Sequence, residues 1–264
     1  MDLKNRIILF MIVSSLALFV KAQEPLKRGE LGDNPLRGII YFGETSLDAR
    51  VQTNGFNIGY NKGKIASYYR TDYFHLSFGY EWDHKEWSKT EYFKNFEGIS
   101  HYTFGKQNYF MIFRAAKGRK IFLSEKALKR GIAVGYAFEY GADLGILKPY
   151  YLVLEYTNEL EREFRSEAYS EENAHLFLDT RKILDKGSFF DGWDEMEIVP
   201  GIHGEVSAVF APGAYEEKVR SLEVGLHLDV YARKIPVMVE TTYNRNSWLI
   251  PHFFIKIQLG KRYR

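Results

Sequence analysis

The stretch from Gly131 to Ile146 constrains this chain more than any other. Every second residue is apolar or aromatic: Ile132, Val134, Tyr136, Phe138, Tyr140, Ala142, Leu144 and Ile146. The residues between them, Ala133, Gly135, Ala137, Glu139, Gly141, Asp143 and Gly145, are small or acidic. Side chains alternate across a strand with period two, so this is one strand with an apolar face and a small, polar face. It is too long for an ordinary strand of about five or six residues. It is long enough for a membrane strand, which needs roughly nine to eleven tilted residues. The expected setting is a barrel wall, with the apolar face on lipid and the small face in a crowded interior. The alternative is a long strand of a soluble sheet facing a core.

The first residues favour the barrel. Lys4 and Arg6 precede an apolar run from Ile7 to Val20, and Val20-Lys21-Ala22 forms a small-residue cleavage site. Residues 1–22 therefore read as a cleaved export signal of the Sec type, not as a membrane anchor, for which the run is short. Nothing later is apolar enough for a spanning helix. A membrane-embedded chain must then use strands, because only helices and closed barrels satisfy the backbone in lipid. Phe and Tyr, 20 and 19 of them, suit aromatic girdles at two interfaces. The formal net charge of +2 points to neither a nucleic-acid binder nor a polybasic surface protein. The absence of cysteine excludes disulfides, thiol catalysis, Cys-ligated zinc and a lipidated N-terminal Cys.

Residues 23–36, with charges, Pro and Gly, read as an exposed periplasmic lead, and 37–264 as the barrel domain. A first strand is expected over 37–45. The next alternates at Phe56, Ile58 and Tyr60, and Asn61-Lys62-Gly63-Lys64 reads as a tight turn. Phe74, Leu76, Phe78, Tyr80 and Trp82 share one face of a third strand, with His75, Ser77, Gly79 and Glu81 on the other. A strand over 106–116 is apolar on both faces from Tyr109 to Phe113. Later strands alternate at Ile202, Val206, Ala208 and Phe210, at Leu222 to Val230, and at Phe253 to Leu259. Asn173 to Leu184 suits a short amphipathic helix. The fold expected is an all-β, antiparallel up-and-down transmembrane barrel of eight strands, with Gly131–Tyr156 as one long strand. Its external loops would be 46–49, 83–105, 158–195 and 242–248, and its periplasmic links 62–66, 117–130 and 211–217. Splitting at Pro149 and near Pro236 gives a ten-stranded alternative but puts the longest loop in the periplasm. The inward face would carry Glu139, Asp143, Glu205, Glu223, Asp229, His203, His227 and Lys256, a plugged polar core.

Several short strings also resemble outer-membrane β-barrel proteins of Bacteroidota. They are Gln52-Thr53-Asn54-Gly55-Phe56 with Lys62-Gly63-Lys64, Gly105-Lys106-Gln107-Asn108, Lys148-Pro149-Tyr150-Tyr151-Leu152, Ile235-Pro236-Val237-Met238, and Gly260-Lys261-Arg262-Tyr263. They occur in the family's order between Phe42 and Tyr263, although Gln52 and Asn61 replace the His and Arg of its pattern. The family is poorly defined functionally. The resemblance implies an outer-membrane barrel of a Gram-negative bacterium and, by analogy with accessory barrels of protein-insertion and secretion machines, a scaffold role.

The chemistry-bearing residues weigh against catalysis. His203, Glu205 and Ser207 share one strand face, but residues four apart on a strand are about 13 Å apart, too far for a nucleophile–base contact. Their inward side is also wrong for a lipid-cleaving site at the rim. Glu223, His227 and Asp229 have no diagnostic metal spacing. Glu159, Glu161, Glu163, Glu167, Glu171 and Glu172 read as a solvated loop sooner than a calcium site, and Lys117–Arg130 as a charged link. No catalytic, cofactor-binding or metal residues are expected, and no cofactor. The expected partners are outer-membrane lipid, lipopolysaccharide and other proteins of an outer-membrane complex, with no nucleic acid. A narrow solute channel and a lipid-modifying enzyme are the alternatives.

Overall fold

The computed structural model describes residues 41–67, 69–86, 102–123, 132–157, 162–212, 217–241 and 245–264; the expected signal (1–22) and lead (23–36) lie outside them. In chain order the elements are β1 (Gly43–Gln52), β2 (Gly55–Ser67), β3 (Arg70–Glu81), β4 (Asn108–Phe122), β5 (Ala133–Pro149), β6 (Tyr151–Thr157), β7 (Arg162–Ala168), helix α1 (Ala174–Phe177), β8 (Ile183–Lys186), β9 (Glu197–Ala211), β10 (Lys218–Tyr231) and β11 (Leu249–Tyr263). Strands β1 to β5 and β9 to β11 form a closed eight-stranded barrel in which every strand is antiparallel to its neighbours. Closure is made by β1 on β11, from Gly43↔Tyr263 to Gln52↔Phe254. Strands β7-β6-β8 form a separate small sheet. No helix among the described residues is long and apolar enough to cross a membrane.

The strand count agrees with the sequence expectation, but several boundaries do not. The first strand ends at Gln52 and the first hairpin turns at Thr53-Asn54, not at 46–49. Thr53 and Asn54 form the two-residue loop, and the alternation on both sides of it obscures the turn. Asn61 to Lys64 is not a turn: β2 runs through it to Ser67, with Asn61 and Gly63 inward and Lys62 and Lys64 outward. The basic link expected from Lys117 begins inside β4, which continues to Phe122; residues 124–130 lie outside the described residues. Gly131–Tyr156 is not one strand. Proline has no amide donor for the ladder, and β5 ends at Pro149. The chain then leaves the barrel wall as β6, so the break adds no barrel strand. The helix expected over Asn173–Leu184 is a single turn, and its C-terminal part pairs with β6 as β8.

Alternation decides the two faces. On β5 the residues from Val134 to Leu144 that are expected outward do face out, and Ala133, Gly135, Ala137, Glu139 and Asp143 face in. The outer wall is apolar all round: Leu47, Ile58, Leu76, Phe113, Leu226 and Phe253 are among its exposed side chains, the last 70% accessible. An uninterrupted apolar belt of this size far exceeds the few hundred Å² that soluble monomers expose. The interior is small and polar. Where Tyr73 turns inward, its ring lies over Gly118 on the neighbouring strand and occupies the space of a Cβ.

Candidate functional site

The interior is built from two layers. Nearer the chain termini lies a network of charges. Arg262 meets Glu44 at 3.1 Å, Lys120 meets Glu223 at 2.6 Å, and Lys256 bridges Glu223 at 2.9 Å and Glu205 at 2.8 Å. Lys120 also bonds the Gln258 side chain. Arg50 reaches Glu205 at 2.7 Å and stacks over the Phe254 ring. Higher in the barrel, Arg114 holds Glu81 at 2.6 Å and Asp229 at 3.0 Å and lies 3.7 Å from Asp143. Four histidines join the two sets. His75 Nδ1 hydrogen-bonds Glu139 at 2.8 Å, and its Nε2 lies 3.2 Å from Asp48. His203 contacts Asp143 at 2.6 Å and stacks on His227, which meets Asp229 at 2.9 Å. His252 lies 3.3 Å from Asp229. A buried charge is tolerated only when it is paired, and the alternating strands bring these partners to the same axis from all sides.

All eight inward residues expected from the sequence are in this network. The network adds Glu44, Asp48, Arg50, Arg114, Lys120, His252, Gln258 and Arg262 to that expectation, together with His75 and Glu81, which the sequence placed on the polar face of their strand. Arg114 and Lys120 follow the stretch of β4 that is apolar on both faces, and Arg50 lies beside the misplaced first turn. Once β1 and β4 are given their full lengths, the period-two rule puts all three inside.

The second layer is an apolar cork. Phe110, Ile112, Leu147, Val199 and Tyr231 point into the barrel mouth, and the segment Ile235–Met238 folds in to meet them. The segment is fixed by Gln107 N–H to Val237 O (2.9 Å), Val239 N–H to Gly105 O (2.9 Å) and Asn108 Nδ2 to Pro236 O (2.7 Å). This explains why Tyr109–Phe113 is apolar on both faces: one face meets the outside and the other makes the cork. Above it, β6, β8, α1 and the loops at Tyr102 and Val239 share a second apolar core around Leu152, Leu154 and Phe177. Burial pushes the Tyr150 phenol in this cap up to about 12; its oxygen accepts the Thr103 N–H at 3.1 Å.

The enzyme alternative finds no assembled site among the described residues. His203 turns to Asp143, Glu205 is taken by Arg50 and Lys256, and the Ser207 hydroxyl has no hydrogen-bond partner. Ser207→Ala and His203→Ala are therefore expected to leave the membrane lipid profile unchanged. His203→Ala, which strips Asp143 of a buried partner, should lower stability by about 1–3 kcal/mol in a urea titration. The trio Glu223, His227 and Asp229 is not brought together, since Glu223 binds Lys120 and Lys256. Two other trios, Glu81–Asp229–His252 and Asp143–His203–Asp229, have donor atoms within 4.8 Å of one another. The Arg114 guanidinium already supplies the positive charge there. Of the loop acids, Glu159 and Glu161 lie outside the described residues. Glu163 pairs with Arg165 at 2.7 Å, and Glu167 accepts from Tyr156 and Asn173.

No family model matches the chain, and no curated protein matches it. Among solved structures it is similar to Ail, the attachment invasion locus protein of Yersinia pestis, at 5% identity and a TM-score of 0.38, covering 85% of this chain and all of that one. It is also similar to Neisserial surface protein A (5% identity, TM-score 0.37, 84% of this chain and 97% of that one). A third is a major outer membrane protein of Thermus thermophilus (11% identity, TM-score 0.31, 84% of this chain and 98% of that one). The eight paired strands define the fold independently of these similarities. A closed barrel with an apolar belt outside and a polar interior has one environment that satisfies both faces. The chain is an eight-stranded transmembrane β-barrel of the outer-membrane type.

Proposed function

We propose that this barrel is a non-catalytic scaffold, an accessory subunit of a larger outer-membrane complex. In this reading residues 1–22 direct Sec export in a Gram-negative bacterium of the Bacteroidota type, 23–36 form a periplasmic lead, and 37–264 form the barrel. With the termini in the periplasm, the loop cap lies outside the cell. The observation that carries the reading is this cap. Long loops cost chain entropy to order, yet here they form a three-stranded sheet with its own apolar core. The cap still presents Phe164 and Phe190 to solvent, Phe190 at 79%. The outer edge of β7 has no strand partner among the described residues. Exposed aromatics beside an open strand edge are the chemistry of a protein contact. The corked, ion-paired interior disfavours the channel alternative.

The test is purification of tagged protein in mild detergent from its native membrane, with photocrosslinkers at Phe164 and Phe190. A stoichiometric outer-membrane partner crosslinked at these positions is the expected result. A lone barrel with no crosslinked partner would overturn the reading.

A further inference from the structure

Lys148 is the last residue before Pro149 on β5, and its position is unusual. By alternation it belongs to the outer wall, in line with Leu144 and Ile146, yet it is only 1% accessible. Its ammonium sits 5.2 Å from the centre of the Tyr109 ring, 4.9 Å from Phe189 and 6.0 Å from Trp193. Tyr109 is its cross-strand partner. Lys106 approaches the same Tyr109 ring at 4.6 Å, but Lys106 is paired with Glu86 at 2.7 Å. Lys148 has no ion pair or hydrogen bond among the described residues. The loop acid that acts on it, Asp191, is occupied by Ser166 Oγ and Ser188 N–H, both at 3.1 Å. The rings cover the side chain without replacing a charge-assisted hydrogen bond, which a bound anion would add. Lys106 has its carboxylate, Glu86, in ion-pair contact, whereas no carboxylate among the described residues is in ion-pair contact with Lys148.

A second feature lies directly below it on the same two strands. Outward pairs descend from Tyr109↔Lys148 through Met111↔Ile146 and Phe113↔Leu144 to Ala115↔Ala142. The two alanines open a trough, part of an apolar groove of about 720 Å³ that runs across the outer wall past Leu76 and Ile58. Lys148 and Ala142 are six residues apart, about 20 Å along a strand and about 14 Å along the membrane normal at a tilt of about 45°. Half of a membrane's hydrocarbon core is about 15 Å. An ammonium at headgroup depth above a trough at acyl depth has the spacing of one lipid.

We propose that Lys148 and the Ala115–Ala142 trough form a site for a single outer-leaflet lipid whose phosphate contacts the Lys148 ammonium and whose acyl chain lies in the trough. The aromatic rings of Tyr109, Phe189 and Trp193 set the depth of the headgroup, as interfacial aromatics do. The phosphate supplies the acceptor that the three ammonium donors lack within the protein.

The experiment compares full-length barrel and Lys148→Met in phosphatidylcholine nanodiscs. These are doped with lipid A carrying its phosphates or with dephosphorylated lipid A, and lipid retained on the protein is counted by native mass spectrometry. Wild type should retain phosphorylated lipid A roughly tenfold more than the dephosphorylated form, the loss expected for one charge-assisted contact. Lys148→Met should lose that preference, and Ala142→Phe, which fills the trough, should weaken retention of both lipids. Equal retention of the two lipids by wild type would overturn the proposal without recourse to any variant. So would an unchanged preference in Lys148→Met whose heat-modifiable mobility shows it folded. Displacement of bound lipid A by inorganic phosphate alone would assign the contact to a soluble phosphate and overturn the lipid assignment.

Discussion

Replacing Leu226 by arginine is expected to abolish the heat-modifiable form of the protein and to leave it unfolded in detergent. Leu226 projects from the middle of β10 onto the outer wall, 54% accessible, opposite Val206 and Phe253 on its two neighbours. An arginine on the lipid face of a barrel costs about 2–4 kcal/mol near the bilayer midplane. That is a large share of the stability of any domain. The measurement is electrophoretic mobility of boiled and unboiled samples, followed by urea titration of whatever folds. The matched control must sit on the same wall with room for its substituent. Gly204→Ala meets that condition, because a Cβ there finds nothing within 4 Å. Gly225→Ala does not, although small residues on the inward face invite the substitution. Its Cβ would run into the Val206 carbonyl and lie 2.8 Å from Ser207 Cα. A Leu226→Arg protein as stable as Gly204→Ala would show that the two faces have been assigned the wrong way round.

The second large effect is expected inside the barrel. Arg114→Leu removes the cation that serves Glu81 and Asp229 and lies beside Asp143. Breaking a buried pair from one side leaves uncompensated charge and costs about 3–5 kcal/mol. Here two carboxylates lose their guanidinium and keep, among the described residues, only histidines as ion-pair partners, so Arg114→Leu should lower the urea midpoint more than any neutral inward substitution. Adding Asp229→Asn to Arg114→Leu should recover part of the loss, since one stranded charge is then removed. A non-additive cycle of this kind is the signature of direct coupling. Additive losses in the double variant would mean that Arg114 acts through packing and not through its charge.

The histidines extend the same reasoning. His75, His203, His227 and His252 approach carboxylates from β3, β9, β10 and β11. No local motif marks them, because most of their partners come from other strands. The apparent Ser–His–acid grouping of Ser207, His203 and Glu205 dissolves for the same reason. Residues that share a face of one strand project side by side, and their partners are the side chains that cross the lumen. Proximity in a barrel runs around the wall and through the axis, whereas proximity in sequence runs along it.

The period-two pattern of the chain was sufficient to settle the strand class and the direction in which nearly every β5, β10 and β11 side chain points; the preference for eight strands over ten needed loop parity as well. The physical reason is that lipid and a packed interior impose opposite chemistry on successive residues, and a pattern of that strength survives in local sequence. Only the tertiary structure decided where the first strand turns, that β4 runs on through its basic end, and that the chain after Pro149 leaves the wall to build a cap. Those outcomes depend on which strand edge is available for pairing, and a pairing partner far away in the chain leaves no local signature. The cork of Ile235–Met238 and the aromatic cover over Lys148 belong to the same class. Each is a contact between segments that the sequence keeps apart and that closure of the barrel by β1 and β11 brings together.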